Sequence, residues 1–332
     1  MSRLYTGLGQ RPDKAVALQA VDFDRATDPK GYRADPDLVD AVNVALTLRQ
    51  PMLVTGEPGT GKTQLAAAVA NELGFGSPLR FDTKSTSRAR DLFYTYDALG
   101  HFQSSQNKDD QRTARDFVTF NALGVALLLA KRRIDVNRLL PPGFVHDGPR
   151  GSVVLVDEID KAPRDFPNDL LAELEEPSFR VAELGNLPPV AADANLRPVI
   201  ILTSNSEKHL PDAFLRRCVY YHILFPQKRE RLQEILASRI GALAPQDSPL
   251  VTSAIDLFYV LRGESCGLGK KPATAELIGW LQALVMAGAS PGASLRAQRP
   301  FMSGTIGVLV KNSDDVKRAG TAIDEWMAKQ GK

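Results

Sequence analysis

The chain has 332 residues, 43% of them hydrophobic and 24% charged, with a formal net charge of +2. That length has room for a full α/β core plus a smaller second domain, and the balance is that of an ordinary soluble globular protein without the basic excess of a dedicated DNA binder. Its two cysteines, Cys218 and Cys266, have neither metal-ligand spacing nor a disulfide framework, which points to a reducing cytoplasm.

Residues 1–35 are mixed in character and rich in Asp, Arg and Lys, and read as an irregular strap across the domain that follows. Their start, Met1 to Gly7, has no apolar stretch of the kind a signal peptide needs. Tyr32 reads either as a surface aromatic or as a ring beside a nucleotide base. Leu38, Val39, Val42, Ala45 and Leu46 recur at helical spacing, so the spacing predicts a helix from Pro36 to Arg49. Pro51 to Thr55 then reads as a short buried strand.

The next eight positions, Gly56, Glu57, Pro58, Gly59, Thr60, Gly61, Lys62 and Thr63, fit the pattern G-x-x-x-x-G-K-[ST]. Glycines let the backbone turn so that successive N–H groups converge on one anion. Lys62 adds charge at the β/γ-phosphates, and the Thr63 hydroxyl is placed to ligate Mg²⁺. Gln64 to Leu73 reads as a helix whose N-terminus faces those phosphates. A strand before and a helix after are the context this motif requires, so a nucleoside triphosphate with Mg²⁺ is the expected ligand.

Pro78 to Asp82 reads as the second strand. Asp91 to Asp97 followed by Gly100-His101-Phe102 suggests a small hairpin with aromatic sides, within an insertion over about 88–112. Ser104 to Arg115 suggests an exposed, mobile link, and Phe117 to Lys131 returns to helical periodicity. The apolar run Ala122 to Ala130 inside it is too short to span a bilayer and is interrupted by Gly124. Lys131-Arg132-Arg133 reads either as the solvated basic end of that helix or as a contact for a nucleic acid or acidic partner.

Val153-Val154-Leu155-Val156 reads as a fully buried parallel strand with Asp157 and Glu158 at its C-terminal end. Ligands of open α/β sheets bind at that end, so Asp157 is placed to hold Mg²⁺ and Glu158 to polarise the water that attacks the γ-phosphate. A helix is expected from Pro163 to Glu175, then one side of a hairpin over Phe179 to Gly185. Pro198 to Asn205 repeats the buried-strand pattern, and the Asn205 amide can bond both phosphate and water. Leu210 to Cys218 reads as a short helix. Its Arg216 and Arg217 either favour a helix C-terminus or reach a neighbouring subunit's nucleotide; the surrounding motifs favour the second. Val219 to Pro226 reads as the last strand, and from Gln227 the pattern is helical, with one helix starting over Lys270 to Leu277. His101, His146, His209 and His222 are dispersed, so no metal site beyond Mg²⁺ is expected.

Taken together, GEPGTGKT from Gly56, VVLVDEID from Val153, ILTSN ending at Asn205 and LPDAFLRRC from Leu210 resemble the AAA+ ATPases, and within them the MoxR-like branch related to the dynein-type subfamily. The resemblance covers roughly residues 33–300. It implies an α/β fold: a P-loop parallel sheet flanked by helices over residues 36–226, with a small C-terminal helical lid domain over 227–332. It matches Lys62 and Thr63 to the phosphate-loop pair, and Asp157 and Glu158 to the Mg²⁺-binding and water-activating carboxylates. Asn205 matches the first sensor and Arg217 the arginine finger, with Arg216 as a second contact. Where relatives carry a Pro-Arg pair in the lid this chain has Pro272-Ala273 after Lys270 and Lys271, so Lys271 is the candidate second sensor. The family forms rings, commonly hexamers, and relatives work with von Willebrand factor A domain partners to remodel protein complexes. The expected function is therefore a cytoplasmic, ATP-hydrolysing ring ATPase acting on a protein client, without a membrane. The alternative is a motor subunit of a nucleic-acid-directed restriction or anti-phage system, with Arg88, Arg90 and the Lys131 run lining a pore. A non-hydrolysing switch is a third reading, disfavoured by the Asp157-Glu158 pair and the arginines.

Overall fold

The computed structural model describes residues 28–107, 109–175, 177–206 and 210–329. These divide into two compact units, one of residues 34–57 and 61–223, the other of 28–33, 58–60 and 224–329. The first is built on a five-stranded sheet of β1 (Met52–Gly56), β2 (Leu79–Asp82), β5 (Val153–Asp157), β8 (Val199–Ser204) and β9 (Val219–Ile223), in the order β2-β5-β8-β1-β9. Every pairing in it is parallel. β1 and β5 are buried along their whole length, as a parallel sheet covered on both faces demands. Helix α1 (Pro36–Leu48) packs on β9, and α2 (Lys62–Glu72) lies against β5, β1 and β8. This order sets the C-terminal ends of β1, β8 and β5 side by side. The phosphate loop, Asn205 and the Asp157-Glu158 pair therefore leave the sheet next to one another.

The insertion after β2 differs from the sequence expectation. Tyr94–Tyr96 (β3) pairs antiparallel with Val118–Phe120 (β4), not with Gly100-His101-Phe102, which belongs to helix α3 (Ala98–Gln106). Asp97 starts that helix by accepting the Gly100 N–H at 2.8 Å, an N-cap that outweighs the strand character of the aromatics. Phe117 to Phe120 is thereby drawn out of the helix predicted there, and α4 begins only at Ala122 and runs to Leu129. Ser104, expected in an exposed link, is buried in α3. Helix α5 (Phe166–Glu175) follows β5, and β6 (Ser178–Phe179) pairs with β7 (Val190–Ala191); the hairpin side expected over Phe179 to Gly185 is cut short, because Ala182–Leu184 turns into a short 3-10 helix. The two insertions meet in aromatic contact: Phe93 stacks on Phe179 at 5.4 Å between ring centres, and Phe120 meets the same ring edge-on.

The second unit is helical: α6 (Arg229–Ile240), α7 (Pro249–Arg262), α8 (Thr274–Met286), α9 (Arg299–Thr305) and α10 (Ser313–Lys329). Its own core includes Leu236, Ile255, Phe258, Leu277 and Trp280. The described part of the expected strap, residues 28–33, is tied to α6: Arg239 donates to the Asp28 carbonyl, Ser238 to that of Gly31 and Arg231 to that of Arg33. The rest of that strap, like His209, lies outside the described residues. Among the described residues no helix is long and apolar enough to cross a membrane.

Candidate active site

The phosphate loop follows directly from β1. Gly59 and Gly61 have φ of 78° and 94°, left-handed values that a side chain rarely adopts, and Gly61 hands the chain to α2. Lys62, at the first position of α2, is buried at 6% exposure. Its ammonium donates to the carbonyls of Gly56 (2.8 Å) and Glu57 (3.0 Å) and to Asn205 Oδ1 (2.9 Å). Burial lowers its pKa, opposed by the nearby charges of Asp160, then Asp157 and Glu158. Upstream, the Thr55 hydroxyl bonds both Tyr220 OH (2.9 Å) and His222 Nδ1 (2.8 Å), which fixes the strand from which the loop departs.

Asp157 ends β5 almost out of contact with water, at 4% exposure. Thr63 donates to its two carboxylate oxygens at 3.1 and 3.2 Å, Thr203 donates to Oδ1 at 2.5 Å, and Arg80 reaches Oδ2 at 2.9 Å. Arg80 is there because β2 runs beside β5, with Asp82 paired to Asp157. A buried carboxylate beside a hydroxyl is a hard-oxygen pair, which suits Mg²⁺. Among the described residues no group of three or more His, Cys, Asp or Glu could hold a metal, and Mg²⁺ is characteristically held by one or two carboxylates together with substrate phosphates.

Glu158 has φ of 55°, in the left-handed region that costs a non-glycine residue about 1–2 kcal/mol. Two ties hold the turn it begins. Its N–H donates to Thr203 Oγ1 at 2.9 Å, and Asp160 Oδ1 accepts the Asn205 N–H at 3.2 Å. The Glu158 carboxylate is paired with Lys161, whose pKa that bond raises. Both side chains are well exposed, and such a pair is easily released.

The structure thus brings Lys62, Thr63, Asp157 and Asn205 into one bonded cluster, with Glu158 at its edge. Glu57, Pro58 and Gly59 are exposed on the loop. Arg216 and Arg217 stand apart from this cluster on the surface, after the helical turn Asp212–Leu215, and Arg217 pairs with Glu175 at the end of α5 at 2.9 Å. Lys271 is exposed in the helical unit, three residues before α8. The loop preceding it is anchored by Asp315, which accepts the N–H groups of Gly269 and Lys270. Sequence reasoning missed Thr203, Asp160, Arg80 and Lys161. For Thr203 a signal was there, a hydroxyl that with Ser204 ends a buried run of apolar residues; for Arg80, which depends on strand order, there was none.

The family description "AAA domain (dynein-related subfamily)" matches residues 51–218, about half of the chain and the whole stretch that carries this cluster. The chain belongs to that family. It is an ATP-hydrolysing P-loop ATPase of the AAA+ type, and nucleotide binding goes with that membership. No curated protein matches the chain. Solved structures that resemble it include two RuvB variants from Thermotoga maritima. One is 15% identical with a TM-score of 0.44, over 80% of this chain and 67% of that one. The other is 14% identical with a TM-score of 0.46, over 80% and 66%. The chain spans about two thirds of the length of those structures.

Proposed function

We propose that this AAA+ ATPase is a MoxR-like motor subunit that works in a homo-oligomeric ring, commonly a hexamer in such families, and uses ATP hydrolysis to move or remodel a macromolecular assembly. The observation that carries the reading is the Lys62 ammonium bonded at once to the phosphate loop and to Asn205, beside the Thr63–Asp157 pair. In this reading the loop and Lys62 hold the β- and γ-phosphates, and Thr63 with Asp157 holds Mg²⁺, which when bound neutralises phosphate charge. Glu158 leaves Lys161, turns to the attacking water and takes its proton as general base. Asn205 links the γ-phosphate to β8, and Arg217 of a neighbouring subunit stabilises charge in the transition state. Loss of the γ-phosphate removes what Asn205 and the neighbour's Arg217 both hold, which is the switch that performs work.

The work itself is read in two ways. A protein complex is the main reading, with a von Willebrand factor A domain protein as the expected partner. A nucleic-acid track is the second, favoured by the exposed Arg88 and Arg90 beyond β2. The Lys131 run contributes less to that track, since Lys131 pairs with Asp193 and Arg132 with Asp135. Glu158→Gln tests the chemistry: ATP binding retained with hydrolysis lost supports it, and ordinary turnover removes Glu158 from its role. The same variant, loaded with ATP and used to capture partners from extract, separates the two readings. A single enriched protein supports the first, whereas enriched nucleic acid together with ATPase stimulation that falls steeply with salt supports the second.

A further inference from the structure

Thr203 is completely buried at the end of β8, after the apolar residues Ile200, Ile201 and Leu202. A valine there would have the same shape without a polar atom to satisfy. The hydroxyl is instead used twice. It donates to the carboxylate of Asp157 at 2.5 Å and accepts the backbone N–H of Glu158 at 2.9 Å. One hydroxyl thus bridges the side chain of one residue to the backbone of the next, across the strand boundary between β5 and β8. A hydroxyl has a single proton, so with its N–H partner on one lone pair the donated bond must run to Asp157.

We propose that Thr203 is a positioning residue for ATP hydrolysis, holding Glu158 in its left-handed conformation and thereby aiming its carboxylate. The proposal rests on the reading in which Glu158 activates water. Glu158 and Arg49 are the non-glycine residues with positive φ among the described residues, and at Glu158 a named bond fixes the amide of the strained residue. Asn205, two residues further along the same face of the chain, makes the second tie to this turn through Asp160. Contact of Asn205 with Lys62 then runs from the phosphate loop to β8, and Thr203 carries it on to Glu158. Without the hydroxyl the Glu158 N–H lies beside a methyl group, and the turn relaxes toward an unstrained backbone. Asp157 keeps Thr63 and Arg80, so nucleotide binding persists. The loss therefore falls on kcat and not on affinity, the signature of an interaction needed only at the reacting geometry.

The test compares Thr203→Val and Thr203→Ser with wild type and Glu158→Gln, measuring affinity with a fluorescent ATP analogue and turnover at saturating ATP. Thr203→Val is expected to bind like wild type and to turn over about 10–100-fold more slowly, the scale of a small misplacement of a catalytic group. Thr203→Ser, which keeps the hydroxyl, is expected to recover most of the rate. Combining Thr203→Val with Glu158→Gln should slow hydrolysis no further than Glu158→Gln alone. Turnover of Thr203→Val within twofold of wild type overturns the proposal, as does Thr203→Ser equally slow at intact affinity. Ordinary turnover by Glu158→Gln would instead sink the reading on which it rests, so the two failures are distinguishable. If Thr203→Val does not fold, Thr203→Ala against Thr203→Ser reads the same contrast: Ser faster supports the proposal, equal rates overturn it.

Discussion

All three protons of the Lys62 ammonium are directed at oxygen inside the protein, on Gly56, Glu57 and Asn205. The side chain is therefore held by the protein and largely shielded from water, and its charge acts in a medium that screens it weakly. Lys62→Ala is expected to weaken ATP binding about 100-fold or more, the worth of two charge-assisted bonds. Calorimetric titration reads this directly, and affinity within threefold of wild type would contradict it. Lys62, Thr63, Asp157 and Asn205 were legible in the sequence because each ends or begins a recognisable strand or helix. Arg80 and Asp160 were not, and Thr203 showed only as a hydroxyl without its partners, because these contacts depend on which strand lies beside which. The β2–β5 register brings Arg80 to Asp157, and the β5–β8 neighbourhood brings Thr203 to Glu158. A third case is Arg217, whose motif was readable but which within one chain rests on Glu175.

Elements show the same division between local and non-local information. The sheet strands were readable as apolar runs, whereas the β3–β4 pairing joins Tyr94 to Phe120 across an intervening helix that local pattern could not see past. Gly124 looked like an interruption of an apolar helix. In the structure it is what lets α4 approach β3, since a Cβ there would lie 1.9 Å from the Phe93 carbonyl oxygen. That oxygen accepts the Asn121 N–H at 2.9 Å, so it cannot simply move aside. Gly124→Ala is expected to destabilise the protein by about 1–3 kcal/mol, the usual cost of overpacking. A urea midpoint unchanged from wild type would show that the helix shifts freely. In the helical unit, Asp315 at 1% exposure receives the Gly269 and Lys270 amides and the Asn312 side chain, and those bonds lower its pKa. A carboxyl whose folded pKa is depressed contributes stability above its unfolded value of 3.8 and loses it as pH falls through the folded value. Asp315→Asn is thus expected to lower Tm by several degrees at pH 7 and to converge on wild type in strong acid. Parallel Tm curves across the whole pH range would remove Asp315 as their cause.

At the scale of the whole molecule, the question is whether one chain contains a complete active site. Lys62, Thr63, Asp157, Glu158 and Asn205 gather around one phosphate loop, but Arg216 and Arg217 project from the surface beyond Phe214. Arg217 rests on Glu175 in an exposed pair, which costs little to break when a stronger anion is presented. A heterologous, head-to-tail ring would supply that anion, the triphosphate of the adjacent subunit. Two variants then fail for different reasons. Glu158→Gln has a dead site but an intact arginine to offer, and Arg217→Ala has an intact site but nothing to offer its neighbour. Each alone is expected to hydrolyse ATP at a small fraction of the wild-type rate. Mixed in equal amounts and allowed to exchange subunits, they should recover activity wherever an Arg217→Ala site faces a Glu158→Gln neighbour. Random mixing makes roughly a quarter of interfaces productive in a closed ring, so recovery approaching that fraction is the expected result. Recovery should also vanish when the mixture is diluted below the concentration at which subunits associate. Activity that remains the simple mean of the two separate proteins would mean that Arg217 acts within its own chain or not at all, and that the shared-site geometry is wrong.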